Sequence, residues 1–117
     1  MPDAPVIVAA LRTPIGTAGR SLAEVDAAGL AAPVLRRLAE VLPGVPVDDV
    51  VLGNCMGPGG DVARVAALAA GLPVEVPAMT VDRQCGSGLA AIATGAALVR
   101  ATPGLVLAGG TESASTA

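Results

Sequence analysis

The chain has 117 residues, with ten carboxylates against seven cations, all of them arginine, and it contains no histidine and no aromatic residue. This length predicts one domain with a modest core, built here from aliphatic side chains that each bury less area than a ring would. The absence of a basic patch and of stacking rings argues against a nucleic-acid partner, and two cysteines without histidine exclude a structural zinc site; no metal is expected.

The opening stretch, MPDAPVIVAALRTP, has no basic leading segment, and Arg12 closes its short apolar run, so a secretion signal is not expected. No apolar run approaches the roughly 20 residues needed to span a bilayer, so no membrane association is expected. The expected location is cytoplasmic, where two cysteines do not suggest a disulfide framework.

Pro5 to Leu11, PVIVAAL, is rich in β-branched residues and reads as a first buried strand. RTPIGTAGRS follows as a loop, and a helical pattern then runs from Leu22 to Leu42. Val25, Ala28, Leu35, Leu38 and Leu42 fall near one face of it. Pro33 predicts a kink or two shorter helices.

A second short strand is expected in the stretch Asp48 to Cys55, DDVVLGNC, ending in Gly53. A glycine-rich turn then opens a helix from about Val62 to Ala70, with Asp61 as its N-cap and Gly71 and Pro73 closing it. Pro77 to Gln84 reads as a third strand, and the helix after Cys85 runs to about Arg100. Gly104 to Gly110, GLVLAGG, reads as a fourth strand. This alternation predicts an α/β fold: a mainly parallel sheet of about four strands with helices on both faces.

The helix after Cys85 has only one polar residue, Thr94, between Leu89 and Val99. Such a helix is expected to be buried on every side, which a four-stranded domain cannot do alone. A second half or a partner is therefore expected to pack on it.

The cysteine in DRQCGSGLAAI, Asp82 to Ile92, stands where strand becomes helix. A free thiol ionises with a pKa of about 8.5, and only the thiolate is a good nucleophile. Unpaired N–H groups and the dipole at a helix N-terminus favour negative charge, so Cys85 is a candidate nucleophile. Gly86 is expected to permit a sharp strand-to-helix turn, and Gly88 to open the first helical turn to close approach. The alternative is a small buried hydrophobe, which many free cysteines are. No histidine is available as a base.

Cys55 follows a strand end with no helix beginning at it, and reads as structural packing. The loop GPGGDV, Gly57 to Val62, invites a phosphate-binding reading. It lacks the third spaced glycine of the dinucleotide fingerprint, and a helix-entry turn fits better. Arg64 reads as a structural or solvated cation, and Asp82, Glu75 and Glu112 as isolated carboxylates. No cofactor-binding residue can be assigned.

TVDRQCGSGLAAI closely resembles the active-cysteine motif of the thiolases, the acyl-CoA C-acyltransferases. The likeness extends in order through LRTPIG, VVLGN, ARVAALAAGLPVEVPAMTV and LAGGTESAS. It implies an acyltransferase that cleaves or forms a carbon–carbon bond next to a thioester. Coenzyme A and acyl-CoA would be its substrates, with no bound cofactor. Cys85 would take up the acyl group in a ping-pong reaction, and its backbone N–H would serve as one oxyanion donor. The strand before the cysteine pairs with its twofold mate in the family, which implies a homo-oligomer.

Against the family pattern, the later Gly-His-Pro and Cys-x-Gly motifs are missing from this sequence. The resemblance thus implies that residues 1–117 form an incomplete thiolase N-terminal domain lacking its sheet's last strand, with the loop domain and C-terminal domain absent. Such a chain would be the nucleophile-bearing portion of a thiolase and is expected to be inactive alone. The alternative is a non-catalytic, thiolase-like interaction module that docks on a partner chain.

Overall fold

The computed structural model describes residues 4–117; Met1–Asp3, part of the opening stretch discussed above, lie outside them. The elements run α1 (Ala27–Ala39), β1 (Asp49–Gly53), α2 (Val62–Ala69), β2 (Ala78–Val81), α3 (Ser87–Ala101) and β3 (Val106–Gly110). All pairings are parallel, in the order β2-β1-β3. The fold is α/β, as the alternation predicts.

The sheet of the described residues has three strands where four were expected. Pro5–Leu11 is not paired into it, and Val6 and Ile7 are 77% and 78% exposed. Their β-branched composition supplies strand propensity, but a strand also needs a neighbouring edge, and none of the described strands lies beside this segment.

The first helix is shorter than its periodicity suggests, because Asp26 caps it by accepting the Gly29 N–H at 2.7 Å. It continues through Pro33 as one helix, not two.

Side-chain alternation along β1 divides the structure into layers. Val50 and Leu52 join Leu107 in a core with α1 and α2, through Ala28, Ala31, Leu35, Ala63, Ala66 and Ala67. Alanine-lined faces let these helices lie close, which is how a core without rings excludes water. The other face, carrying Val51, Gly53, Ala108 and Gly110, receives α3. Helices therefore cover both faces. Val50 and Val51 are fully buried, as the continuous apolar run of a central parallel strand requires.

Helix α3 rests on the sheet through Ser87, Ala91 and Gly95. Its opposite stripe is open: Leu89 is 75% and Ile92 42% exposed, with Ala93 and Ala97 beside them. The all-round burial expected of this helix is not supplied by the chain itself.

Candidate functional site

Cys85 lies one residue before Gly86, the N-cap of α3, and is exposed. The buried-hydrophobe alternative does not hold. Because β2 runs directly into this turn, the thiol sits at the carboxyl end of the sheet, where open parallel sheets place their ligand crevices.

The turn is built by side chains. Asp82 accepts the Gln84 N–H at 2.9 Å, and the Ser87 hydroxyl accepts the Arg83 N–H at 2.7 Å while donating to the Gln84 carbonyl at 2.6 Å. Gly86 and Ser87 donate their N–H groups to Arg83 O and Gln84 O. Among the described residues, the hydrogen bonds of this turn do not use the Cys85 N–H.

The left-handed residue of the turn is Gln84, at φ 49°, and not a glycine. Gly86 has φ −92° and ψ 8°, values open to any residue, so its expected role as the source of unusual backbone angles is not what the structure shows. A non-glycine left-handed residue immediately before a strand-to-helix thiol stores local strain at that point. At Gly88 a Cβ would meet nothing within 4 Å, so no neighbour among the described residues requires glycine there.

The three strand ends bring together residues that are far apart in sequence. Asn54, buried beyond β1, donates from Nδ2 to Thr111 O at 2.9 Å and accepts the Gly57 N–H at 3.2 Å. Glu112, beyond β3, accepts the N–H groups of Cys55 and Met56 with its carboxylate. Thr111 and Ser113 donate their hydroxyls to Ala27 O and Val25 O, tying the same segment to the start of α1.

Cys55 is therefore half-buried beside Glu112, with Asp82 and Cys85 close enough to act on it. The Glu112 carboxylate as acceptor for the thiol, then burial, then the charges of Glu112, Asp82 and Cys85 push its pKa above the ordinary thiol value. Glu112 is not the isolated carboxylate that sequence distance suggests. Local sequence offered one signal for Asn54 and Glu112: each is a polar residue just past the carboxyl end of a strand.

The GPGGDV loop is a helix-entry turn. Asp61 caps α2 by accepting the Arg64 N–H and the Thr80 hydroxyl, at 3.2 and 2.6 Å, so a carboxylate already holds that helix end. Arg64 is structural: its guanidinium donates to Val76 O and Val74 O at 2.7 and 2.8 Å. Glu75 lines a cleft of about 470 Å³ with Val45, Leu72 and Pro73, at the amino ends of the strands and away from both cysteines. Among the described residues, no cluster of His, Cys, Asp or Glu is placed to hold a metal ion, and no helix is long and apolar enough to cross a membrane.

Comparison with known proteins matches residues 5–117 to the family "Thiolase, N-terminal domain". A Bacillus subtilis protein named "Putative acetyl-CoA C-acetyltransferase YhfS" is 49% identical over 111 residues, covering 94% of this chain. The Staphylococcus aureus protein named "Putative acetyl-CoA C-acetyltransferase VraB" is 45% identical over 115 residues, covering 96%. The chain spans about 30% of the length of these curated relatives. The crystal structure of the Bacillus anthracis acetyl-CoA acetyltransferase superposes with a TM-score of 0.84 at 42% identity, over 90% of this chain and 28% of that one.

Proposed function

This chain belongs to the thiolase family, an acyltransferase family, and on that premise we propose that it is the nucleophile-bearing portion of an enzyme that moves acyl groups between coenzyme A thioesters. The reaction is thiolysis of a 3-ketoacyl-CoA or the Claisen condensation that reverses it. One observation carries the reading: an exposed thiol, Cys85, directly ahead of the N-cap of α3 at the carboxyl end of a parallel sheet.

Cys85 as thiolate adds to the thioester carbonyl of an acyl-CoA, or to the 3-keto carbonyl of a 3-ketoacyl-CoA, and its backbone N–H, which the turn leaves free, donates to the developing oxyanion. Collapse breaks the carbon–sulfur bond to coenzyme A in the first case, and the departing thiolate takes a proton; in the second it breaks the C2–C3 bond, and the departing acyl-CoA carbanion takes a proton. The acyl group stays on Cys85 until a second nucleophile removes it.

The chain has no histidine to act as the general base for Cys85. General acid–base assistance typically contributes roughly 10²–10⁴-fold. It would come from polypeptide bearing the Gly-His-Pro and Cys-x-Gly motifs. In this account residues 1–117 form part of an N-terminal domain, and the loop domain, the sheet's last strand and the second α/β half lie outside these residues. The open stripe of Leu89 and Ile92 on α3 is where the second half would lie. The edge strand β2 would pair with a second copy, giving a dimer that sedimentation measures directly.

The test is incubation with acetyl-CoA and with acetoacetyl-CoA, followed by peptide-resolved mass measurement. The expected result is at most one acyl group per chain, on Cys85, lost in Cys85→Ser, with no multiple turnover. Robust turnover by the 117-residue chain would contradict the account.

The exposed α3 stripe also favours a second reading, a non-catalytic module that docks on a partner through Leu89 and Ile92. A partner without the two missing motifs, and Cys85 alkylation by iodoacetamide unchanged when that partner binds, would decide for it.

A further inference from the structure

We propose that Glu112 is a positioning residue that keeps the second thiol at the strand ends, Cys55, out of the acyl-transfer chemistry, so that Cys85 is the single acceptor. The proposal deepens the reading of Cys85 as acyl acceptor and rests on it. A site that presents two thiols to an acyl thioester needs a reason why only one is used.

The backbone fixes the juxtaposition. Gly53 and Gly110 are register partners on adjacent parallel strands, and Cys55 and Glu112 each lie two residues further along. The segments stay laced beyond the sheet: Thr111 N–H donates to Gly53 O at 3.0 Å, and Asn54 Nδ2 donates to Thr111 O at 2.9 Å. The Glu112 carboxylate then receives the N–H groups of both Cys55 and Met56. Swinging it away would strip two backbone donors of their shared acceptor. The carboxylate is thus fixed beside the Cys55 thiol by contacts independent of the sulfur.

A fixed anion beside a thiol accepts its S–H and repels the thiolate. Glu112, Asp82 and Cys85 face Cys55 from the segments after β3 and β2 and from the α3 turn, and all act in the same direction. The nucleophile is the thiolate, so Cys55 is silenced while it keeps its proton. Were it acylated by acyl-CoA, a Cys55 Sγ–carbonyl bond would form, the bond to coenzyme A would break, and the Cys55 proton would go to the departing thiolate.

The test is site-resolved iodoacetamide alkylation of the whole chain from neutral to alkaline pH, in native buffer and in urea. In the wild-type chain the Cys55 profile should inflect at higher pH when folded than when unfolded. Glu112→Gln keeps a carbonyl acceptor for the Cys55 N–H and removes the charge. It should shift the folded profile towards the unfolded one and raise the neutral-pH ratio of Cys55 to Cys85 labelling about threefold or more.

Coincident folded and unfolded wild-type profiles, or an unmoved profile in folded Glu112→Gln, overturn the proposal. If that variant fails to fold, the wild-type comparison alone decides. Acylation of Cys85 is read in parallel. Its failure with the Cys55 result intact sinks the acceptor reading and leaves Glu112's hold on Cys55 standing.

Discussion

Gly53 lies directly under Ser87. A Cβ on Gly53 would stand 2.6 Å from the Gly88 amide nitrogen and closer still to the Ser87 carbonyl, so the first turn of α3 rests on bare backbone at the end of β1. This contact sets the height of α3, and therefore of the Cys85 turn, above the sheet. Both sides of the clash are backbone, which cannot step aside as a side chain can. Gly53→Ala should cost about 3 kcal/mol or more, the upper end of overpacking penalties. Thermal melting should show a drop of about 10 °C or more for a domain of this size. Gly86→Ala, whose Cβ would meet Arg83 O at 3.4 Å, should stay within about 1 kcal/mol of wild type. Equal melting points for the two variants would contradict this account of the packing.

The left-handed Gln84 makes a separate prediction. Gln84→Gly relieves the steric cost but adds freedom to the unfolded chain, so the two effects should nearly cancel. Gln84→Val keeps the cost and adds a β-branch, and should lose about 1–3 kcal/mol. Urea midpoints for the pair, with Gly above Val, are the check.

At Gly88, stability and chemistry should separate. The position is open, so Gly88→Ala gains helix propensity of up to about 1 kcal/mol in α3 and should raise the melting point. The new methyl lies one turn from Cys85, in space a bulky thioester would need. Acyl transfer from acetyl-CoA to Cys85 should slow about tenfold or more, the scale of a lost near-attack geometry, while labelling by the smaller iodoacetamide changes little. Equal slowing of both reagents would assign the effect to the turn and not to substrate approach.

The raised Cys55 pKa has a thermodynamic consequence of definite sign. The folded chain holds this proton more tightly than the unfolded chain does. The resulting stabilisation is complete below the unfolded thiol pKa and is lost as pH rises through the higher folded value. Urea midpoints should therefore fall across the alkaline range, and Cys55→Ser, which does not titrate there, should flatten that fall. An equally steep fall in the variant would mean that the Glu112 contact does not govern the thiol.

Much of the fold was legible in the sequence because its signals are local. Asp61 caps α2 where an aspartate before an apolar run should, and the VVLG run of β1 is buried on both faces as a parallel strand requires. Pro5–Leu11 misled because strand composition does not reveal whether a neighbour exists. Gly86 misled because a glycine beside a sharp turn suggests unusual angles, whereas here Asp82 and Ser87 side chains hold Gln84 in the unusual conformation instead. Half of the site was invisible for a different reason. Cys55, Glu112 and Cys85 meet only because three parallel strands end side by side, and no local pattern records that register.

The most direct measurement is the alkylation rate of Cys85 by iodoacetamide at neutral pH, folded against urea-unfolded, resolved from Cys55 by peptide mass. If the turn ahead of α3 prepares this sulfur for acyl transfer, the folded rate exceeds the unfolded rate several-fold. A folded rate equal to or below the unfolded one would contradict that account.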